Sequence, residues 1–440
     1  MDHELGLIVL ALAGALAGAV LALLPGLHIY NVAGLVFLAV THRPELLSGQ
    51  AIAMLMIGMV VGWSVVNVIP AVFLFAPDDA SAFVVLPATK MLLRGRGLDA
   101  TMLVGAGSLG ALLTLTIAAP VLDEVLRPVR QIIAPHIGWM LVAIIAFLVI
   151  GEWPRHDALA PTPLRRLLSA WAYLGAGLIT FLLSGVLGFV LLYRSPVPID
   201  ASFQNLLPAF VGLFAVPGLL QILFFGVRPP RQETALRLDV TPYQLARGTL
   251  TGVAGGLFAG VLPVISGGIG GLLAGHATAQ RDDRLFLVSQ GASKIAYYIG
   301  GLLLLFVPGV GLTRGGMAWM LSTTYVPYGW RTYWLAVTSV ALAGALSFTL
   351  LVLIGRAVGS LSGRFDPKLL AGAALLISIA ITVGFTGLGG LGVMIVATLI
   401  GLIPVLVGGR RMNCLGVLLL PITLNVVGIG PDIARALGLL

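Results

Sequence analysis

Charge is what this sequence has least of. Asp, Glu, Lys and Arg make up 10% of its 440 residues, against 59% hydrophobic residues, and the mean hydropathy is +1.06. A soluble fold of this length needs a charged surface, so the composition excludes one and reads as a polytopic membrane protein. Cysteine is nearly absent as well. Cys414 stands alone, which excludes an intrachain disulfide and a cysteine metal cluster. The motifs of soluble metal and nucleotide chemistry are missing: there is no H-E-x-x-H, no phosphate-binding P-loop and no G-x-G-x-x-G after a strand. His42, His136, His156 and His276 show no metal-ligand spacing, and His156 with Asp157 and nearby hydroxyls makes no triad. The expectation is a chain with no cofactor, no metal and no enzymatic activity. Acidic residues are outnumbered 17 to 25 by Lys and Arg, for a formal net charge of +8. Nucleic acid is not the implied partner. The arginines fall in short loops between apolar runs, where they set orientation and meet the anionic headgroups of membrane lipids.

Glycine, by contrast, is abundant at 57 residues, as expected where membrane helices pack closely or break. Apolar stretches lie at 5–24, 50–76, 100–120, 137–151, 168–192, 203–227, 246–263, 285–309, 331–355, 369–386, 389–407 and 412–429. A span needs about 20 such residues, so the pattern predicts an all-α membrane protein of about 10–12 segments, some of them half-helices or re-entrant pieces. The start, Met1-Asp2-His3-Glu4, is acidic and no small-residue cleavage site clearly follows, so the first stretch reads as a retained helix. Two polar breaks divide the chain. Glu152-Trp153-Pro154-Arg155-His156-Asp157, with Pro161, Pro163, Arg165 and Arg166, closes a first unit. Arg228-Pro229-Pro230-Arg231-Gln232-Glu233, with Arg237 and Arg247, opens a second. The expected organisation is a first transmembrane repeat over 1–166, a connecting pair and loop over 167–242, and a second repeat over 243–440. Both Arg-rich loops would face the cytoplasm of a multi-pass inner-membrane protein, and the less basic loop Arg194–Asp200 between them agrees.

The repeat rests on a matched pair of interruptions. Leu24-Pro25-Gly26-Leu27-His28-Ile29-Tyr30-Asn31 breaks the first apolar run, and Leu262-Pro263-Val264-Ile265-Ser266-Gly267-Gly268 breaks a later one. Pro263 follows Pro25 by 238 positions, and Gly252 and Gly256 follow Gly14 and Gly18 by the same offset. Two broken segments at corresponding places in two halves point to the central binding site of a transporter. Proline cannot continue a helix undisturbed. A half-helix starting inside the membrane aims free N–H groups and the positive end of its dipole into a cavity, where glycines let an anion approach. Pro25, Gly26, His28, Asn31, Pro263, Ser266, Gly267 and Gly268 are therefore the candidate substrate-binding residues. The bland alternative is that Pro and Gly merely kink packed helices. Asp78 and Asp79 follow Ala76-Pro77 at the end of another apolar run, with Lys90 nearby to neutralise one of them. They read either as an ion-coupling pair for Na⁺ or H⁺ or as helix-capping residues at the interface. Lys294 falls just inside an apolar run. It reads either as a further substrate-binding residue or as a side chain snorkelling to the interface.

At these residues the chain resembles the large membrane permease of tripartite tricarboxylate transporters, most closely a shorter branch widespread in archaea. The resemblance is carried by Leu24-Pro25-Gly26-Leu27-His28, by Ile69-Pro70 through Phe75-Ala76-Pro77-Asp78-Asp79, and by Leu86-Pro87 with Leu92-Leu93-Arg94-Gly95-Arg96-Gly97. Near the end it is carried by Gly401-Leu402-Ile403-Pro404, Arg410-Arg411 and Gly416 through Pro421. It implies an all-helical fold of two inverted repeats with re-entrant hairpins, and uptake of an organic anion driven by an ion gradient. It also implies a small membrane subunit and a periplasmic binding protein as partners; a homodimer is a further assembly compatible with it. The second half departs from the family. Pro263-Val264 stands where relatives carry proline–glycine, and Ser293-Lys294-Ile295-Ala296 stands where they carry an Asn/Ser/Thr-rich run. A second resemblance covers Pro263 through Gly268, which is similar to a motif of polyprenyl-phosphate translocases. It implies, as the alternative function, movement of a lipid phosphate carrier.

Overall fold

Each of the apolar stretches holds helix in the computed structural model, which describes residues 2–25, 27–42, 47–153, 162–198, 204–226, 229–313, 316–364 and 366–440. The readings made above on Gly26, on Pro154-Arg155-His156-Asp157 and Pro161, on Asp200 and on Arg228 fall outside these residues. In chain order the first helices are α1 (Asp2–Leu21), α2 (Ile29–His42), α3 (Gly49–Val66), α4 (Val68–Phe73), α5 (Val85–Leu92), α6 (Gly97–Ala118), α7 (Leu122–Ile133), α8 (Ile137–Ile150), α9 (Pro163–Tyr193), α10 (Leu207–Phe210) and α11 (Val216–Phe225). Then come α12 (Pro242–Val261), α13 (Gly267–Ala277), α14 (Asp283–Ile295), α15 (Gly301–Phe306), α16 (Gly316–Ser322), α17 (Gly329–Leu361), α18 (Pro367–Val407), α19 (Gly416–Val427) and α20 (Gly430–Ala436). No strand occurs among the described residues. Among them, seven helical stretches are long and apolar enough to cross a membrane, and a bent pair formed by Arg411–Val427 and Gly430–Ala436 makes up to eight. That is fewer than the sequence pattern suggests, because several runs are divided into shorter helices. The runs 369–386 and 389–407 meet at Gly387, whose φ of 64° and ψ of −165° interrupt α18.

The chain forms two compact units, and each draws on both halves of the sequence. One contains 1–131 and 222–374, the other 132–221 and 375–440. In the first unit α1 lies along α3. Gly14 and Gly18 of α1 face the backbone of Leu55 and Met59, and Gly58 and Gly62 of α3 face that of Ala11 and Ala15. A Cβ at any of the four would overlap a carbonyl, so this is the small-residue spacing that lets membrane helices approach closely. α12 lies along α14 in the same manner, with Gly252 and Gly256 facing the backbone of Ser289 and Ser293. α17 packs on both α1 and α3, while α6 packs on both α12 and α14. The long helix from each half thus completes the helix pair of the other.

Both interruptions are real breaks. The chain leaves the helix after Leu21 and re-enters it at Ile29; it leaves again after Val261 and re-enters at Gly267. Val264 in the second break holds φ at +56°, and Phe75, after α4, holds +54°. The turn Arg94-Gly95-Arg96-Gly97 is clamped by the segment that precedes α12. Gln232 accepts from the Gly97 amide at 2.8 Å and donates to the Leu92 carbonyl at 3.1 Å, and Arg96 pairs with Asp99 and Asp239 at 2.7 and 3.0 Å.

The second unit has its own apolar core, centred on Leu207, Val211, Val216 and Met394. α9 packs on α19 through Gly188, which faces Val417, and through Gly416, which faces Phe181. Glu152, beyond the end of α8, is buried. It accepts from the Arg410 amide at 3.1 Å and from Asn413 Nδ2 at 2.8 Å.

Candidate functional site

The acidic pair is assembled by the first unit's breaks. α3 ends at Asn67, α4 ends at Phe73, and the left-handed Phe75 turns the chain so that Asp78 and Asp79 point back along it. Asp78 Oδ1 accepts from the Ser81 amide at 2.7 Å and from the Ser81 hydroxyl, which closes the turn. Its Oδ2 accepts from Asn67 Nδ2 at 3.1 Å. Asp79 is 8% exposed, and its Oδ1 lies 3.1 Å from Nε2 of His28, which is 3% exposed. The Tyr298 hydroxyl sits 3.1 Å from that nitrogen, 3.3 Å from Asp79 Oδ1 and 3.4 Å from Asp78 Oδ2. Asp78 therefore serves a turn while sharing donors with Asp79, so capping and clustering coexist.

The positive charge comes from the other half of the chain. Lys294, on α14, is 1% exposed and donates through Nζ to Asn67 Oδ1. It is buried rather than snorkelled. Asn67 thus bridges Lys294 to Asp78, and a buried charge needs this kind of partnering. Lys90 does not neutralise the pair. It forms a surface ion pair with Asp283 at 3.0 Å, because α5 turns its side chain outward beyond the buried turn. His28 and both aspartates bring ligand-type atoms within 4.8 Å of one another, a cluster that their spacing in the sequence does not announce.

The two breaks meet at this cluster. Ser266 donates to the Asp79 carbonyl at 3.3 Å. Trp63 donates from its indole to the Leu27 carbonyl at 3.1 Å and sets its ring 5.2 Å from that of His28. Pro25 and Asn31 are buried in the first break and at the start of α2. Gly267 lies against Lys294, Ser293 and Tyr297, where a Cβ would come within 3.0 Å of each, and Gly268 lies against the Ala80 carbonyl. These two glycines serve helix packing at the second break.

A cavity of about 320 Å³ adjoins the cluster. Leu262, Pro263 and Val264 of the second break form part of its wall, with Tyr30, Tyr297 and Tyr298. Of the candidate substrate residues, Pro263 alone lines it; His28, Lys294 and Ser266 stand behind the wall, in the network that holds Tyr298. Tyr298 belongs to both, and it sits in a π-helical turn, Ala296–Gly300, that separates α14 from α15. Such turns redirect side chains and recur at functional sites. The sequence reading missed Tyr30, Trp63, Asn67, Ser81 and Tyr298. One signal was available: Tyr298 follows Lys294 by four positions, which places both on one helix face.

A set of membrane-length helices, broken at corresponding places and converging on a buried ionisable cluster beside a cavity, defines a multi-pass membrane transporter component. The chain belongs to the tripartite tricarboxylate transporter TctA family, whose model matches residues 8–416. It is also similar to an uncharacterised protein of Methanocaldococcus jannaschii, with 28% identity over 309 residues, covering 69% of this chain and 70% of the relative. No solved structure matches it significantly.

Proposed function

We propose that this protein is a permease for a small organic anion, carboxylate in class, and that its transport is coupled to an ion gradient through Asp78 and Asp79. The observation that carries the reading is the cavity of about 320 Å³ walled by the second break and by Tyr298, which contacts both carboxylates. The volume suits a small molecule. Tyr30, Tyr297, Tyr298 and Thr313 offer hydroxyl donors from its wall, and none of the described lining residues is a carboxylate. A carboxylate guest therefore meets donors without like-charge repulsion. The family's name supports the substrate class.

Two further parts of the reading go with it. The segments 1–166 and 243–440 are related repeats of opposite orientation joined by 167–242; the matched glycine packing of α1 on α3 and of α12 on α14 supports this. The protein works in the cytoplasmic membrane with a small membrane subunit and a periplasmic binding protein, as the family's tripartite description supports.

The test is uptake of radiolabelled citrate and succinate by proteoliposomes containing the protein, beside a separate assay for movement of a polyprenyl phosphate between leaflets. Saturable carboxylate uptake that the double substitution Asp78→Asn, Asp79→Asn uncouples from the ion gradient is the expected result. Lipid movement without carboxylate uptake would replace the permease with a lipid-carrier translocase.

A further inference from the structure

His28 occupies the position just before α2, and its ring does the work of a helix cap. The Tyr30 amide, within the first turn of α2, has no acceptor inside its helix. It donates instead to Nδ1 of His28 at 3.2 Å. Nδ1 therefore carries a lone pair, and the ring's hydrogen is on Nε2, facing Asp79 and Tyr298. The same Tyr30 contributes to the cavity wall.

The network around His28 is one positive charge short. Asp78 and Asp79 come from the turn after α4, Lys294 comes from α14 through Asn67, and the remaining titratable neighbours are the phenols Tyr30, Tyr297 and Tyr298. Trp63, from α3, packs on the ring and carries no charge. Two carboxylates and one ammonium leave one uncompensated negative charge in a buried place. Several of the carboxylate oxygens already accept from Ser81, Asn67, Tyr298 or His28. A metal or sodium ion would have to displace those donors, and a divalent ion would overshoot neutrality. A proton needs none of them to move, because the one basic nitrogen, Nδ1, lies on the opposite edge of the ring.

We infer that His28 Nδ1 is the coupling-proton site of this protein, and that its protonation uncaps α2 and frees Tyr30 from its place in the cavity wall. The coupling role rests on the permease reading; the proton site stands on the geometry alone. The protonated Nδ1 becomes a donor facing the Tyr30 N–H, so that bond is lost. The Asn31 and Val32 amides keep the His28 carbonyl as acceptor, at 3.0 and 3.3 Å, so the change is confined to the entry of the helix. Nε2 keeps its hydrogen and its carboxylate partner, now as a full ion pair. Proton uptake and movement of the cavity wall become a single event.

Trp63 reports on the ring, because an imidazolium quenches a neighbouring indole. The emission of wild-type protein in nanodiscs, minus that of Trp63→Phe, is to be followed against pH, against Na⁺ in place of K⁺ at fixed pH, and against added Zn²⁺. Hydrogen exchange of the amides from Ile29 to Ala33 is measured over the same pH range and corrected for the intrinsic rate. The expected result is a one-proton loss of Trp63 emission in the range where histidines titrate, about pH 5–7.5. It should be absent in His28→Gln, be unmoved by Na⁺ or Zn²⁺, and coincide with lost protection at Tyr30. A response to Na⁺ or Zn²⁺ in place of protons overturns the proposal, as does no response to any of the three. Quenching without deprotection overturns the uncapping. Should His28→Gln fail to fold, the wild-type titration and exchange still decide. Citrate uptake indifferent to a pH gradient removes the proton coupling and leaves the permease. An intact titration in a protein that moves neither carboxylates nor polyprenyl phosphate removes the permease and leaves the proton site.

Discussion

Val264 is the residue least at ease in its backbone. At φ +56° a β-branched side chain sits where only glycine is comfortable, and the left-handed conformation costs an L-residue about 1–2 kcal/mol. Val264→Gly should therefore stabilise the protein by about 0.5–1 kcal/mol, once the added freedom of the unfolded chain is deducted. A higher unfolding midpoint in detergent checks it, and a lower one would show that the side chain's packing in the cavity wall outweighs the strain. Lys294 is the opposite case, a costly group held by its partners. Lys294→Met leaves Asp78 and Asp79 uncompensated and should destabilise by about 3 kcal/mol, as when one member of a buried pair is removed. Adding Asp78→Asn should recover much of that loss, and a double-mutant cycle measures the coupling. Additive losses would mean that the bridge through Asn67 carries no electrostatic linkage. Lys294, Asp78, Asp79 and His28 were legible in the sequence because ionisable groups inside apolar runs stand out. Their arrangement was not. His28 lies 51 positions from Asp79 and 270 from Tyr298, and nothing local ties those residues together.

Among the elements, the helices were legible almost throughout, because length and apolarity are what a membrane selects. The breaks were legible from proline. What lines each break was not, since the offset that pairs Pro25 with Pro263 says nothing about which side chains turn inward. Gly267 shows the consequence. Its sequence context suggests close approach of an anion, yet a Cβ there meets Lys294, Ser293 and Tyr297 at 3.0 Å. Loss of activity in Gly267→Val would therefore report a displaced α14 rather than a blocked ligand. Outside the spans, Glu152 offers a test with a defined sign. Burial pushes its carboxyl above the usual range, against the opposing pull of Arg410 and Asn413. Its folded form thus holds a proton more tightly than its unfolded form. The stability this gives is full below the ordinary carboxylate range and is lost as pH rises through the raised value. Glu152→Gln keeps an acceptor for Asn413 and removes the buried charge, so its unfolding midpoint should exceed that of the wild type at neutral pH. The gap should close as the solution is acidified. A gap that widens on acidification would mean that the ionised carboxylate is the favoured form.

At the scale of the whole molecule, the order of the chain and the order of packing diverge. A division of the sequence at its polar loops gives two successive halves, whereas the compact units are 1–131 with 222–374, and 132–221 with 375–440. Neither half contains a complete unit. α17 completes the pair α1–α3, and α6 completes the pair α12–α14. The cluster is mixed in the same way, with His28, Asn67, Asp78 and Asp79 from one half, and Ser266, Lys294 and Tyr298 from the other. This interleaving predicts how the chain behaves when cut. Expressed as two pieces divided between Gly226 and Pro229, the halves should be recovered together, because each exposes glycine-lined helix faces and buried ionisable groups that only the other can cover. Expressed singly, either half should be degraded or aggregate. The measurement is co-purification of an untagged half with a tagged one from membranes, with the Trp63 titration as a readout that the His28 cluster has formed. Two halves that are each stable alone and do not associate would show that each folds on its own segments, and the exchange of α6 and α17 between the helix pairs would then have to be abandoned.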